Sequence, residues 1–152
     1  MEDLERLLRE HDFLSDLEDR HTRLLVSCAK NARFQVGEFL MREGSEADAF
    51  FLIRRGQVAL ETHVPARGTI QMESVGPGDV LGLSWLIPPY RVDLDARAVE
   101  PVIALVFDGS CLRRKIEDDH DLGYALVRRL FEKAYLRLEH VRLQRLDVYK
   151  AP

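Results

Sequence analysis

Cysteine is almost missing from this chain of 152 residues: Cys28 and Cys111 stand far apart, with no His or Cys at ligand spacing beside either. That pattern offers no metal site, and two buried thiols are expected rather than a disulfide or redox pair. Long apolar runs are missing too. No stretch approaches the ~18 residues that cross a bilayer, and Met1-Glu2-Asp3-Leu4-Glu5 is acidic where a secretory leader starts basic. A cytoplasmic protein without membrane contact is expected. Charge of neither sign dominates; the formal net charge of −4 argues against a surface that coats nucleic acid, and no direct DNA binding is expected.

Catalytic patterns are equally sparse. His11, His21, His63, His120 and His140 are dispersed, and no Gly-rich phosphate loop, Ser nucleophile elbow or paired-Cys motif occurs. His63 is the only His between Ala32 and Phe107, too few for a metal cluster inside a β structure. Asp93 and Asp95 fall on one face of an alternating segment, where a solvated or ion-paired surface explains them more simply than acid–base work. The chain reads as a non-enzyme.

What is present is a change of hydrophobic period, twice. Leu4, Leu7, Leu8, Phe13, Leu14, Leu17, Leu24, Leu25 and Val26 recur at helical spacing, and Ser15 with Asp16 offers a cap between two helices in residues 1–30. From 31 to 108 short apolar runs predict strands: Phe34 to Val36, Phe39 to Met41, Phe50 to Ile53, Val58 to Thr62, Thr69 to Val75, Val80 to Leu83 and Ala96 to Val106. Gly- or Pro-bearing segments separate them, among them Arg55-Gly56 and Gly76-Pro77-Gly78-Asp79. Helical period returns over 109–152, with Asp108 or Ser110 capping a short helix to Lys115. Asp118, Asp119 or Asp121 caps a longer one to about Val148. The three segments are expected to form one structural unit.

The middle segment resembles a known family. Val36-Gly37-Glu38, Arg42-Glu43-Gly44, Ala47-Asp48, Phe50-Phe51-Leu52-Ile53, Gly56-Gln57-Val58 and Gly76-Pro77-Gly78-Asp79-Val80-Leu81-Gly82 look like the cyclic-nucleotide-binding domain of the catabolite-activator and protein-kinase-regulatory superfamily. The likeness covers roughly Ala32 to Val148. It implies an α+β fold: a double-stranded β-helix (jelly-roll) barrel with N-terminal helices and a long C-terminal helix. It also implies a phosphate-binding cassette after Gly78-Asp79, where backbone N–H groups of a short helix and an Arg hold a cyclic phosphate and a Glu after a Gly accepts the ribose hydroxyl. By resemblance the ligand-binding residues are Gly82, Leu83, Ser84, Trp85, Arg91 and Val92. Two of these depart from the family pattern. Leu83 occupies the place of the Glu, and the Arg column falls on Val92, with Arg91 one residue earlier and restored by a one-residue gap. The family often offers a Ser or Thr of the long helix to the purine, but none occurs from Asp121 onward, which leaves Tyr135, Arg137, Glu139 or His140 for that contact. Trp85 is read as core or wall more readily than as a lid.

On the last helix, Val127, Phe131, Ala134, Leu138 and Val141 repeat at alternating steps of four and three, the spacing of a two-helix seam, while Leu122, Leu126 and Leu130 form a separate flank. A homodimer through this helix is expected. Arg128, Arg129, Lys133, Arg137, Arg142 and Arg145 interleave with Glu132 and Glu139 and read as a solvated, ion-paired face. The chain is expected to be a stand-alone regulatory ligand sensor lacking a DNA-binding domain, taking a cyclic nucleotide (cAMP or cGMP) or another small anion. The competing reading is a ligand-free module that regulates a partner through its C-terminal helix.

Overall fold

The computed structural model describes residues 3–150; Met1, Glu2, Ala151 and Pro152, the ends of the predicted first and last segments, lie outside them. Asp3 caps α1 (Leu4–Glu10) by accepting from the Arg6 N–H, and α2 spans Asp19–Val26. Ser15 and Asp16 do not cap α2. Glu18 precedes it without a side-chain cap, because residues 11–17 first wind through two turns closed by Leu14 N–H to His11 and Leu17 N–H to Leu14. Asp16 instead accepts from Arg129, far along the chain, at 2.7 Å.

Eight strands follow: β1 (Ala29–Phe34), β2 (Phe39–Met41), β3 (Ala49–Arg55), β4 (Val58–Val64), β5 (Gly68–Val75), β6 (Val80–Leu81), β7 (Asp95–Ala98) and β8 (Val102–Asp108). They form two antiparallel sheets of four, ordered β1-β8-β3-β6 and β2-β7-β4-β5. The predicted helix to Lys30 and strand from Phe34 to Val36 give way to β1, which begins at Ala29 because β8 offers a ladder from Ala29↔Phe107 to Phe34↔Val102. The predicted run from Ala96 to Val106 is two strands, broken at Val99-Glu100-Pro101, where proline has no N–H for a ladder. Gly56 lies beneath that break with φ +90°, and a Cβ there would stand 2.2 Å from the Pro101 carbonyl. Only glycine fits.

β3 and β8 read as continuous apolar runs because both faces of their sheet are covered. Phe50, Leu52, Leu105 and Phe107 turn toward the helices and join Leu8, Phe13, Leu14, Leu25, Trp85, Leu112, Leu122 and Leu126. Phe51, Ile53, Ala104 and Val106 turn toward the second sheet, meeting Val58, Leu60, Ala96 and Ala98. That second sheet carries charge on its other face, where Arg97 binds Glu61 through two hydrogen bonds of 3.0 Å.

α3 (Gly109–Asp118) is capped by Asp108, which accepts from the Cys111 N–H; α4 runs His120–Lys150, and the Asp119 carboxylate accepts from the Leu122 N–H in its first turn. Among the described residues no helix is long and apolar enough to cross a membrane. The cysteines correct the expectation of two thiols: Cys28 and Cys111 form a disulfide. Their separation of 83 residues along the chain conceals that the β1–β8 ladder brings the end of α2 beside the first turn of α3.

Candidate functional site

The site begins at the turn Gly76-Pro77-Gly78-Asp79. The Asp79 carboxylate accepts from the Gly76 N–H at 2.9 Å, and Gly78 N–H to Ile53 with Ile53 N–H to Asp79 ties the turn to β3. β6 ends at Leu81, just before Gly82, whose φ of +91° and 2.9 Å approach of a would-be Cβ to the Ala49 carbonyl exclude any side chain. The predicted strand to Leu83 therefore stops two residues early, and Leu83–Trp85 form one turn of 3₁₀ helix.

This turn roofs a cavity of about 160 Å³. Met41, Leu60, Leu81, Leu83 and Leu94 supply apolar walls, and Gly82, Ser84, Glu73, Asp93 and Arg137 complete the lining. Arg137 reaches in from α4: its Nη2 donates to the Val80 carbonyl at 2.9 Å, and its Nε lies 3.4 Å from Glu73. Glu73 and Arg137 also line a wider groove of about 540 Å³ between β5 and α4, together with Lys133, His140 and Gln144.

Of the residues assigned by resemblance, the structure gathers Gly82, Leu83 and Ser84 at the cavity. Trp85 points the other way, fully buried with its ring centroid 6.0 Å from that of Phe50. Val92 is buried, and its backbone exchanges bonds with Gly44 and Ser45; Arg91 is exposed, and its backbone pairs with that of Glu46 in an isolated antiparallel β-bridge. Neither lines the cavity. Of the four helix residues named for base contact, Arg137 enters the cavity and His140 the adjoining groove, while Tyr135 bonds to Glu139, whose carboxylate raises the phenol above its ordinary value. Glu73 escaped sequence reasoning. It faces Leu60 across a β4–β5 ladder that shifts register between Leu60 and Glu61, so counting residues does not place it.

A cyclic monophosphate fits this lining incompletely. The glycine corner and the 3₁₀ turn are present, but Leu83 cannot accept a ribose hydroxyl, Asp93 adds negative charge, and the guanidinium comes from α4.

On α4, Leu122, Leu126 and Leu130 are buried, whereas Val127, Phe131, Leu138 and Val141 are exposed, Phe131 at 71%, with Ala134 half-buried between them. The five seam residues thus share an outward stripe.

Two sheets with this order, helices on one face and a glycine-cornered turn over a cavity define the cyclic-nucleotide-binding fold. A protein of Geobacter metallireducens GS-15 assigned to the cyclic nucleotide-binding proteins is 30% identical, with a TM-score of 0.80 over 91% of this chain and 99% of that one. A cyclic nucleotide-binding domain from Methylobacillus flagellatus KT superposes with a TM-score of 0.83 at 20% identity, over 94% of this chain and 84% of that one. The regulatory domain of Toxoplasma gondii PKA, crystallised with cAMP, matches 76% of this chain and 44% of that one, with a TM-score of 0.64 at 17% identity. The family model for the cyclic nucleotide-binding domain matches residues 32–119, and the chain belongs to that family.

Proposed function

We propose that this chain is a non-catalytic cytoplasmic ligand sensor, in which a small anion or cyclic nucleotide beneath Gly82–Ser84 acts on α4 and, through it, on a second copy of the chain. The observation that carries the reading is Arg137: it stands on the helix, lines the cavity and is adjacent to Leu138 of the exposed stripe. A ligand that takes the guanidinium from Glu73 and the Val80 carbonyl shifts the position of α4, and differential affinity for the two helix positions is what makes a switch. In this assignment the two sheets close as a jelly-roll barrel, and Trp85 and Val92 brace the cassette from the core. Arg91 is a second basic contact, brought in by movement of its exposed loop.

A ligand-free interaction module is the second reading, favoured by Leu83 and by the Arg137–Glu73 pair, which already engages the guanidinium at the cavity wall. Calorimetric titration with cAMP, cGMP and cyclic di-GMP, repeated on Arg137→Ala and Arg91→Ala, separates the two. The sensor reading expects heat with at least one ligand and its loss in Arg137→Ala; no heat with any of them leaves the module. Light scattering on Leu138→Glu tests the seam: the mass should fall from dimer to monomer, and an unchanged dimer in a folded variant removes this helix from the interface.

A further inference from the structure

The disulfide lies away from the cavity and belongs to no part of the ligand reading. Cys28 follows the last turn of α2, and its carbonyl accepts from the Asp108 N–H at 2.9 Å, so it is held beside the N-cap of α3. Cys111 is on the first turn of that helix, with a Cα–Cα distance to Cys28 of 5.6 Å. The two cysteines differ in access. Cys28 is 6% exposed, whereas Cys111 is only half-buried.

Both cysteines line a groove of about 520 Å³ on the surface, a volume within the range of small-molecule sites. Lys30 and Arg114 line it as well, and among the described residues neither forms a salt bridge. The carboxylates there are Asp48 and Asp108, and Asp108 is turned to the helix: it accepts from the Ser110 hydroxyl and the Cys111 N–H, and the hydroxyl above all holds its carboxyl below the usual range. The groove therefore offers a disulfide, a half-buried Cys111 and two cations outside any salt bridge among the described residues, one of which, Arg114, also acts on the Asp108 carboxylate. We infer that Cys28–Cys111 is a thiol–disulfide exchange site for a small anionic thiol of tripeptide size.

The step is balanced as follows. The thiolate of the incoming thiol attacks Cys111 Sγ, forming a mixed disulfide there; the Cys28–Cys111 bond breaks, and its electron pair leaves on Cys28, which takes up a proton. A second thiol attacks the sulfur of the bound thiol, releases the small-molecule disulfide and leaves Cys111 as thiolate. Two thiols are oxidised and one protein disulfide is reduced. Lys30 and Arg114 attract the anionic thiol and stabilise thiolate charge on the protein. Such a bond responds to the thiol pool of a reducing compartment, whereas a purely structural bridge belongs to an oxidising one. Reduction frees the first turn of α3 from the end of α2 while the Asp108 cap and the β1–β8 ladder remain.

The test uses the native, oxidised protein in glutathione buffers of graded reduced-to-oxidised ratio, with acid quenching, intact mass measurement and peptide mapping. Dithiol and mixed-disulfide species should rise with the reduced fraction, with the adduct on Cys111. The double variant Lys30→Glu/Arg114→Glu retains both cysteines. It should slow exchange with glutathione about tenfold through lost electrostatic attraction and leave the rate with neutral 2-mercaptoethanol unchanged. Cys28→Ser should take up one glutathione on Cys111, whereas Cys111→Ser should leave Cys28 protected. A bridge that stays intact until denaturant is added, or equal rates for the two thiols relative to wild type in the charge variant, would overturn the proposal. Failure of cyclic nucleotides to bind leaves it untouched.

Discussion

On one face of the sheet β1-β8-β3-β6, the rings of Phe13, Trp85 and Phe107 surround that of Phe50 at 5.8–6.0 Å; on the other, Ala104 meets Ala96 and Ala98 of the facing sheet among valines and leucines. The two faces meet different neighbours. Helices lie across the first at varied heights, so large rings are needed to fill the space between cylinder and sheet. The second faces another pleated sheet at a spacing of ~10 Å, where small and β-branched side chains prevail and Phe51, packed on Phe34, is the one fully buried ring on this face among the described residues. The 3₁₀ turn belongs to both: Trp85 is locked into the ring cluster, and Leu83 lines the cavity. Three residues thus join the cavity wall to the ring cluster on the helical side.

The comparison breaks most strongly at Trp85. Trp85→Ala removes the largest of the rings packed around Phe50 and should cost about 3–5 kcal/mol, lowering Tm by roughly 10 °C in a chain of this size. Trp85→Phe should cost less than half as much, since the indole N–H has no partner in the core and its loss relieves an unsatisfied donor. Denaturant titration of both variants checks this; equal costs would mean that a phenyl ring at this position restores none of the lost packing.

Ala104→Leu asks whether the second face is as tightly filled as its small residues imply. Overpacking there should cost about 1–3 kcal/mol, measured as a lower denaturation midpoint at unchanged slope. A neutral result would show slack between the sheets.

The smallest expected effect is pH-dependent and lies at the edge of the ring cluster. His11 Nε2 donates to the Ile53 carbonyl at 2.9 Å while Nδ1 accepts from the Phe13 N–H at 3.2 Å, so the folded state holds the neutral ring. Burial, the largest cause, pushes its pKa below the ordinary 6.5. The unfolded chain takes up the proton first as pH falls. The stabilisation is therefore complete above the unfolded value and is lost as pH descends through the folded one. Midpoints measured between about pH 8 and about pH 5 should decline more steeply in wild type than in His11→Gln; parallel curves would remove His11 from the acid response.

Much of the fold was legible locally. Gly56 stood among the separators and marks a corner that only glycine can turn, the run Phe50 to Ile53 lies within β3, and Asp108 was recognisable as a cap. The stripe from Val127 to Val141 was also readable, because the helical period sorts residues by face before any neighbour is known. The candidate site was legible only in part. Gly82, Leu83 and Ser84 came from the family resemblance, but Glu73 depends on a register shift, and Arg137 was one of four candidates until packing of α4 brought it to the cavity.

By itself, the order of residues determined the α, β, α succession, the glycine corners and the outward stripe of α4, since each depends on backbone conformation or on neighbours within two turns. Tertiary structure alone decided the start of β1, the union of Cys28 with Cys111, and which arginine reaches the cavity. Those features join segments tens of residues apart, and only the pairing of β1 with β8 and the docking of α4 set the distances between them.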